Sequence, residues 1–308
     1  MSDATPTGRF VAGYVTLAGR PNVGKSTLLN HYVGRKIAIT SPRPQTTRNR
    51  IVGIVTRPDA QVVFLDTPGV MKGERSKLNR SMTDVAARTG AEADVLVFMT
   101  DASRPDLEGD LFAWRRIDRG KGRAILAINK VDLVEKESLL PLIAQLSTEL
   151  GPFEEVVPLS ATRGINAERL LKLIVDRLPE GTPFYPADMG TDQPERFFIA
   201  EMIREKAFLR LSQELPYSLA VVVEQMEDRP NGVFAVSASI VVERESQKGI
   251  VIGKGGAMLK EIGAAARREL ERRFETKIFL HLTVRVRPQW TSDPASLRDL
   301  GYDPSSEG

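Results

Sequence analysis

Residues 19–26 read Gly-Arg-Pro-Asn-Val-Gly-Lys-Ser and have the form G-x-x-x-x-G-K-[ST]. They follow the apolar run VAGYVTLAG at 11–19 and precede an amphipathic stretch near 26–33. A buried strand, a glycine-containing turn and a helix in this order form a phosphate-binding loop, because the turn and the helix start point backbone N–H groups at an anion. The residues predicted here to bind a nucleotide are Gly19, Arg20, Pro21, Asn22, Val23, Gly24, Lys25, Ser26 and Thr27.

Apolar runs and amphipathic stretches alternate through the first half of the chain. Further apolar runs lie at 51–55, 61–66, 94–100, 124–129 and 155–160, and the amphipathic stretches lie near 76–90, 108–118, 136–150 and 166–178. Continuous apolar strands with helices between them predict an α/β fold with a doubly wound sheet, here of the P-loop type. Ligands of such sheets bind beyond the carboxyl ends of the strands, where the other motifs fall.

A second motif, Asp-Thr-Pro-Gly at 66–69, ends the run QVVFLD. A carboxylate at this place can hold Mg²⁺, and the backbone N–H of the glycine can bond a γ-phosphate. In the first motif, Lys25 is expected to reach the β- and γ-phosphates and the Ser26 hydroxyl to ligate Mg²⁺. The predicted nucleotide-binding residues of the second motif and its neighbour are Asp66, Thr67, Pro68, Gly69 and Val70.

A third motif, Asn-Lys-Val-Asp, ends the run AILAIN. Asp132 can accept the N1–H and the 2-amino N–H of guanine, which adenine lacks, so this carboxylate predicts selectivity for guanine. Asn129 would brace the loop and Lys130 would lie along the base. A backbone N–H donor to guanine O6 is expected after the run EVVPL, at Ser160 and Ala161. The predicted ligand is therefore GTP or GDP with Mg²⁺.

The stretch 35–50, rich in Arg, Lys, Thr and Pro, is predicted to be the first switch loop. Thr47, with Thr46 as the alternative, is expected to supply a second hydroxyl to Mg²⁺ in the triphosphate state. The predicted metal ligands are Ser26, Thr47 and Asp66, and the predicted catalytic residues are Lys25, Ser26, Thr47 and Gly69.

The residue that follows Asp-Thr-Pro-Gly is Val70, which cannot orient an attacking water as the glutamine of Ras does. Since no other residue is an evident substitute, hydrolysis is expected to be slow or to depend on a partner, an RNA or a monovalent cation. Asn22 is a candidate ligand for K⁺ beside the phosphates. A cation there would place positive charge where an arginine finger otherwise lies.

The composition of the chain changes after the first half. Residues 179–194, PEGTPFYPADMGTDQP, hold four prolines and two glycines and predict a linker. Then follow a helix at about 197–212, two strands near 218–226 and 232–243, two further helices, and a strand at 277–286. The order α-β-β-α-α-β is the type II arrangement of the KH fold, an α+β RNA-binding domain.

Residues 253–256 read Gly-Lys-Gly-Gly between two of these helices and match the G-x-x-G loop with which KH domains clamp about four nucleotides. From 244 to 287 the chain has eleven Lys or Arg and five Asp or Glu. That excess suits a phosphate backbone, although a solvated helix face with i,i+4 pairs is the alternative. The predicted RNA-binding residues are Ile252, Gly253, Lys254, Gly255, Gly256, Lys260 and Arg267.

Composition excludes several kinds of chemistry. The 308 residues include no cysteine and two histidines, so disulfides, thiolate chemistry and multi-histidine metal sites are ruled out. The N-terminus, MSDATPTGRF, lacks the apolar run of a signal peptide, and no stretch reaches the ~18 apolar residues that span a bilayer. These features predict a cytoplasmic protein.

Together the motifs resemble the Era family of GTPases over about residues 8–302. The stretches that carry the resemblance are GRPNVGKS (19–26), QTTR (45–48), DTPG (66–69), NKVD (129–132), SA (160–161), REKAFLRLSQELPYS (204–218), IGKGG (252–256) and LGY (300–302). The first-half motifs occur in many GTPases. Glu-Leu-Pro-Tyr-Ser combined with a C-terminal KH domain is typical of Era proteins.

The resemblance implies a GTPase that binds the 3′ end of small-subunit (16S) ribosomal RNA and acts in small ribosomal subunit assembly. It also implies peripheral association of part of the population with the inner face of the cell membrane; DNA is not an expected partner. A γ-phosphate would order the switch loops 35–50 and 67–80 and so change how the KH domain presents its groove. The implied organisation is a GTPase domain at 8–178, a linker at 179–195, a KH domain at 196–287 and a tail at 288–308.

Two departures and two alternatives bear on this interpretation. The family often has a histidine where this chain has Met71, so no role of that histidine carries over. The family also often has a lysine where this chain has Pro288, so the phosphate contact of that lysine does not carry over. In the same tail, Trp290 either stacks on a base or, as we expect, packs on the domain. One alternative is another switch GTPase of the same group that acts in tRNA modification or at a membrane; the tRNA-modifying type usually has a C-terminal cysteine, which is absent here. The other is an RNA-binding module with a vestigial nucleotide fold, against which the intact motifs argue.

Overall fold

The computed structural model describes residues 9–72, 76–118, 123–230 and 232–302. Of these, residues 9–72 and 82–192 form one compact unit, and residues 76–81 and 193–302 form a second. Parts of the predicted switch loop 67–80 and of the predicted tail 288–308 lie outside the described residues, as does residue 8.

The described residues of the first unit contain a six-stranded sheet. Its strands are β1 (Val11–Gly19), β2 (Ile51–Arg57), β3 (Ala60–Asp66), β4 (Val95–Asp101), β5 (Arg123–Asn129) and β6 (Glu155–Pro158). They lie in the order β2-β3-β1-β4-β5-β6, with β2 antiparallel to β3 and all other neighbours parallel. The helices that follow or connect them are α1 (Lys25–Val33), α2 (Lys77–Ala91), α3 (Leu107–Arg116), α4 (Lys136–Leu150) and α5 (Ala167–Val175).

The central strands are buried along their length because helices cover both faces of the sheet. Every residue of β3 and β4 is buried, as the continuous apolar runs predict. Because β1, β3 and β5 run parallel, the residues at their carboxyl ends, Gly19, Asp66 and Asn129, reach the same edge of the sheet. The predicted doubly wound fold is confirmed, and the three sequence motifs meet at one place.

Residues 179–192, the larger part of the predicted linker, pack against the first unit. The side-chain oxygen of the buried Gln61 on β3 accepts the backbone N–H groups of Phe184 (2.7 Å) and Tyr185 (3.0 Å). The Gln61 amide nitrogen donates to the carbonyl of Tyr185 at 2.8 Å, and the Phe184 ring stacks on Tyr14 with 5.1 Å between centroids. One buried amide thus satisfies three backbone groups of a segment that has no regular structure of its own.

The same segment also covers the outer edge of β2, where the sheet ends. The backbone N–H of Ile54 donates to the carbonyl of Gly190 at 3.0 Å. The Thr191 hydroxyl donates to the carbonyl of Val52 at 2.7 Å. Two of the groups that an edge strand leaves open are therefore bonded within the chain.

The second unit confirms the order α-β-β-α-α-β. Its elements are α6 (Glu195–Arg210), β7 (Ala220–Asp228), β8 (Val233–Val242), α7 (Glu245–Ile252), α8 (Ala257–Phe274), β9 (Lys277–Val286) and a final short helix α9 (Pro294–Asp299). The sheet order is β7-β8-β9, with β7 and β8 antiparallel and β8 and β9 parallel. This is the predicted KH arrangement.

The segment after β9 packs onto this unit. Trp290 is completely buried, its Nε1–H donates to the carbonyl of Ser218 at 3.0 Å, and its ring stacks on Tyr302 with centroids 5.7 Å apart. The expectation that Trp290 packs on the domain is confirmed. Nearby in the fold, α6 buries Arg204, whose guanidinium makes two 2.6 Å hydrogen bonds to Glu201. Within the described chain, every helix is too short or too polar to cross a bilayer.

Candidate nucleotide site and nucleic-acid interface

A cavity of about 450 Å³ opens at the carboxyl edge of the first unit's sheet. Its walls are the phosphate-binding loop, residues 39–47 of the predicted first switch, Gly69, the turn after β4, and the loop after β5. The residues that line it are Arg20, Pro21, Asn22, Gly24, Lys25, Ser26, Thr27, Ile39, Thr40, Ser41, Pro42, Gln45, Thr46, Thr47, Gly69, Asp101, Ser103, Arg104, Lys130 and Leu133. A mononucleotide fits a cavity of this size.

The phosphate-binding loop is locked to the base-recognition loop through Asn129. The Asn129 amide nitrogen donates to the carbonyl of Val23 at 2.7 Å, and its oxygen accepts the Ala161 N–H at 2.9 Å. Gly24, with φ of 105°, lies so close that a Cβ there would come within 2.1 Å of that amide nitrogen. A side chain at position 24 would therefore separate the two loops, which explains the second glycine of the motif.

Lys25, the first residue of α1, is buried within the loop that precedes it. Its ammonium donates to the carbonyls of Arg20 at 2.9 Å and Gly19 at 3.3 Å. Burial lowers the pKa of Lys25 to about 8; the charge of Asp66 opposes this shift and that of Arg20 adds to it. A polyphosphate would supply the opposite charge that this ammonium lacks, which suits the predicted phosphate-binding role.

The three predicted metal ligands converge. The Ser26 hydroxyl donates to Asp66 Oδ2 at 2.5 Å and lies 2.9 Å from the Thr47 hydroxyl. Asp66 Oδ1 is buried and has no hydrogen-bond partner among the described residues. Burial raises the pKa of Asp66 to about 6, against the effects of Lys25 and Ser26. A buried carboxylate oxygen without a partner beside two hydroxyls is a donor set that fits Mg²⁺.

Thr46, the alternative metal ligand, is engaged elsewhere. Its hydroxyl donates to the carbonyl of Arg43 at 2.8 Å and lies 2.8 Å from the Ser41 hydroxyl. These contacts close a tight turn within the switch. Thr47 is therefore the threonine that the structure places beside Ser26.

The described residues of the predicted second switch loop, 67–80 (switch II), contribute mainly backbone to the cavity. The Thr67 hydroxyl donates to the carbonyl of Leu17 at 3.0 Å. The N–H of Val70 donates to the carbonyl of Gly19 at 3.2 Å. The Val70 side chain is buried in a cluster with Phe98 and Trp114. Gly69 lines the cavity and lies against Pro21. Pro68 is buried in the same turn.

At the base end, Asp132 lies in a single 3₁₀ turn, 131–133, with its side chain 10% exposed and 3.5 Å from Arg163. The two predicted donors to guanine O6 both have partners. The Ser160 N–H donates to the carbonyl of Ile165 at 3.0 Å, and that of Ala161 donates to Asn129. A contact with guanine O6 therefore requires one of these hydrogen bonds to be shared or exchanged.

Asp101, at the end of β4, is a site residue that the sequence analysis missed. Its carboxylate is almost fully buried and accepts a hydrogen bond from the Lys130 ammonium at 2.5 Å. Its Oδ1 also accepts hydrogen bonds from the Ser103 N–H at 2.9 Å and from the Ser103 hydroxyl at 2.7 Å. Lys130 has φ of 67°, so its backbone is held in the left-handed region. A carboxylate that ends a buried strand at the motif-bearing edge, as Asp66 does, was the available signal.

The Arg20 side chain forms ion pairs with Asp110 on α3 and with Asp106 directly before it. Its Nε donates to Asp110 at 2.6 Å, and its other nitrogens reach Asp106 and the carbonyl of Arg104, at 3.4 and 3.3 Å. Asp110 is fully buried, and burial raises its pKa to about 6 against the effect of Arg20. The second position of the motif therefore ties the phosphate-binding loop to a helix.

In the second unit, the Gly-Lys-Gly-Gly stretch forms a tight turn between α7 and α8. Gly253, Gly255 and Gly256 have φ of 72°, 60° and 81°, values that other residues rarely adopt. Lys254 and Gly255 are exposed at its tip, and Ile252 ends α7 directly before it. The predicted G-x-x-G loop thus has the geometry in which backbone can approach a ligand closely.

The basic residues of α8 face solvent. Lys260, Arg267, Arg268 and Arg272 are exposed, and none forms an ion pair with another described residue. The alternative of a solvated face held by i,i+4 pairs is therefore disfavoured for these four. Arg273 differs because its guanidinium lies over the Phe198 ring, 5.5 Å from the centroid.

The fold and the two sites define a P-loop GTPase that carries a C-terminal KH domain. A family model described as 50S ribosome-binding GTPase matches residues 14–130, and a KH-domain model matches residues 214–291. The chain is 49% identical to GTPase Era of Geotalea uraniireducens over 295 residues, 96% of this chain and 99% of that protein. It is 45% identical to GTPase Era of Heliobacterium modesticaldum, over 96% of this chain and 98% of the relative. The chain belongs to the Era family of GTPases.

Two solved structures are similar over most of the chain. An Aquifex aeolicus Era variant bound to GDP·AlF4⁻ superposes with a TM-score of 0.90 at 39% identity, covering 96% of this chain and all of that one. Era in complex with MgGDPNP and nucleotides 1506–1542 of 16S ribosomal RNA also gives 0.90, at 40% identity and 96% and 99% coverage. These matches confirm the predicted family, the fold of both domains and the GTPase activity.

Proposed function

We propose that this chain is a Mg²⁺-dependent GTP switch whose KH domain binds the 3′ end of 16S ribosomal RNA during assembly of the small ribosomal subunit. The observation that supports RNA binding is the Gly-Lys-Gly-Gly turn, followed by α8 with four exposed basic residues that form no ion pair with another described residue. Support comes from the similar Era structure with MgGDPNP and a 16S rRNA fragment, which shares both units with this chain.

For nucleotide binding, the position of each residue supports its proposed role. The N–H groups of the loop 19–26 and the Lys25 ammonium bind the β- and γ-phosphates. Ser26, Thr47 and Asp66 hold Mg²⁺, which supplies charge neutralisation for the phosphates when bound. Asp132 selects guanine, and Asn129 and Lys130 keep its loop in register. Within the described residues no cluster of three metal-binding Asp, Glu or His occurs, which suits an ion held partly by phosphate.

The coupling between the two halves is part of the same proposal. Thr47 belongs to the first switch, so a metal-bound triphosphate fixes that loop and hydrolysis releases it. The changed switch would then alter the affinity of the KH domain for RNA.

The test is a gel-shift titration of the full chain with an oligonucleotide copy of the 16S rRNA 3′ end, with GDP or GDPNP, at fixed salt. We expect tight binding that depends on the nucleotide, and no binding of a scrambled RNA. Gly255→Asp should weaken binding and leave GTP hydrolysis unchanged. Gly232→Asp is the matched control, because Gly232 has φ of 73° and open space around it in the β7–β8 turn of the same unit. Absence of binding in both nucleotide states would refute the ribosomal proposal.

The cytoplasm is the proposed location, since this is where ribosomal subunits assemble. Peripheral association with the inner face of the cell membrane is a separate part of the proposal that rests on the family resemblance alone. Co-flotation of the full chain with anionic liposomes, compared with zwitterionic ones, would test it.

A further inference from the structure

Hydrolysis needs a group that orients the attacking water, and switch II does not supply one among its described residues. Val70 takes the position of the Ras glutamine, but its side chain is buried in the core with Phe98 and Trp114. Met71 and Lys72 line a neighbouring cavity of about 320 Å³, and Lys72 pairs with Glu108 there. This cavity shares Arg20, Pro21 and Asn22 with the nucleotide cavity. Among the described residues, another wall of the nucleotide cavity is therefore the place to look for the orienting group.

Few polar side chains of that wall remain available beside the phosphates. Ser26, Thr47 and Asp66 form the metal cluster. Thr46 closes a turn with Ser41 and Arg43, and the Asn22 amide nitrogen donates to the carbonyl of Pro42 at 2.9 Å. Gln45 also lines the cavity, and its carboxamide is not held by a hydrogen bond to an oxygen of the described residues.

Gln45 makes one weak contact. Its amide nitrogen lies 3.4 Å from the Met71 sulfur, a poor acceptor, and its carboxamide has no other hydrogen-bond partner among the described residues. A carboxamide carries a donor and an acceptor, so it can hold a water through the oxygen and a phosphate oxygen through the nitrogen. Exchanging a thioether contact for these partners would be favourable.

The backbone at Gln45 is held in an unusual conformation. Its φ is 60°, in the left-handed region that residues with a side chain rarely adopt. Such positions cluster at active sites, where surrounding contacts enforce them. Here the turn made by Thr46 and Ser41 on one side and the Thr47–Ser26 contact on the other fix the residue two positions before a metal ligand. Ordering Thr47 by a bound triphosphate therefore also positions Gln45.

We propose that Gln45 is the catalytic residue that orients the attacking water for GTP hydrolysis. Its Oε1 accepts a hydrogen bond from the water, and its Nε2–H steadies the γ-phosphoryl group. The water oxygen forms a bond to the γ-phosphorus while the bond from that phosphorus to the β–γ bridging oxygen breaks. The bridging oxygen leaves with the electron pair as GDP, and the water proton passes to a phosphate oxygen, giving inorganic phosphate.

The test is single-turnover hydrolysis of GTP by the full chain, with GDPNP affinity measured in parallel. Gln45→Ala should slow hydrolysis at least about tenfold and change GDPNP affinity little. It should also fail to trap GDP with aluminium fluoride, which mimics the transition state. Met71→Leu is the control, because it removes the sulfur that Gln45 contacts and keeps an apolar side chain of similar size.

Gln45→Glu separates catalysis from packing. It keeps the acceptor oxygen, so hydrolysis should be partly retained and should gain a new decrease at acidic pH where the introduced carboxyl becomes protonated. Unchanged hydrolysis in Gln45→Ala would overturn the proposal. So would a Met71→Leu variant as slow as Gln45→Ala, or a loss of GDPNP affinity that accounts for the whole rate effect.

Discussion

The Asp101 carboxylate holds the Lys130 ammonium at 2.5 Å, joining the ends of two neighbouring strands. Asp101 ends β4 and Lys130 follows β5. Ala102, the residue after Asp101, donates its N–H to the carbonyl of Asn129 at 2.9 Å. The turn after β4 thus supports the loop 129–132, which is proposed to read the base, although this turn belongs to none of the predicted motifs.

We expect Asp101→Asn to weaken the binding of GDP and GTP alike. A charge-assisted hydrogen bond contributes about 1.5–3 kcal/mol, so affinity should fall by roughly tenfold or more, mainly through faster dissociation. Stopped-flow displacement of a fluorescent GDP analogue measures this. Asp59→Asn makes the same change at an exposed carboxylate in the β2–β3 turn and should have no effect. Equal dissociation rates in the two variants would contradict the supporting role.

Asp132→Asn should change base preference from guanine to xanthine. The carboxylate is proposed to accept two N–H groups of guanine, and an amide would present a donor to one of them. GTP affinity should therefore fall by at least about a hundredfold while XTP affinity rises. Competition binding with GTP, XTP and ATP reads this out.

The Arg163 contact with Asp132 offers a control for that experiment. Arg163→Ala removes the 3.5 Å ion pair without changing the atoms that face the base. It should keep the preference for guanine. A switch toward xanthine in Arg163→Ala would show that the pair, and not the carboxylate, determines specificity.

The free energy of unfolding should decrease with rising pH because Asp110 loses its proton. Its pKa is about 6 when folded and 3.8 in the ordinary environment, so between these values the folded chain binds more protons than the unfolded chain. The free energy of unfolding therefore decreases as pH rises from about 4 to 6. Relative to Asp110→Asn, which does not titrate, the wild type should lose on the order of 2–3 kcal/mol across this range.

The measurement can be confined to the first unit. Trp114 lies on α3, one turn beyond Asp110, and is buried. In a Trp290→Phe background, Trp114 fluorescence reports chemical denaturation of this unit in the full chain. A wild-type minus Asp110→Asn difference that stays constant from pH 4 to 7 would contradict the shifted pKa.

Hydrolysis should be faster in K⁺ than in Na⁺. Asn22 lies exposed at the tip of the phosphate-binding loop with φ of 63°, and its amide nitrogen is bonded to Pro42, which directs the carboxamide as a whole toward the first switch. Its oxygen is then the atom that would ligate K⁺ beside the phosphates. Steady-state rates in the two salts at equal ionic strength test this, and Asn22→Ala should remove the difference. Equal rates for the wild type would exclude the cation.

The fold and most of the nucleotide site were predictable from the sequence because both depend on local patterns. Glycine spacing, strand ends and base-reading residues are contiguous, so the positions of Lys25, Asp66 and Asn129 followed from order alone. The G-x-x-G turn was predictable for the same reason. Its three left-handed glycines occupy one short stretch between two amphipathic helices.

The residues that were missed depend on contacts between distant segments. Asp101 became a site residue only when strand order placed it beside Lys130, 29 positions later. Arg20 was predicted as one of the nucleotide-binding residues of the loop 19–26, whereas its hydrogen bond to Asp110 depends on the position of α3. The linker prediction missed the packing of 179–192 because composition shows irregular structure but not what the segment binds, here the buried Gln61.

That packed segment has a consequence for preparing the nucleotide-binding half in isolation. The hydrogen bonds of Gly190 and Thr191 close the outer edge of β2. A fragment ended at residue 178, where the helical pattern stops, would expose this edge to strands of other chains and should self-associate. A fragment extended through residue 192 should stay monodisperse in solution. Residues 179–192, which the composition presents as a linker, therefore protect this edge from aggregation.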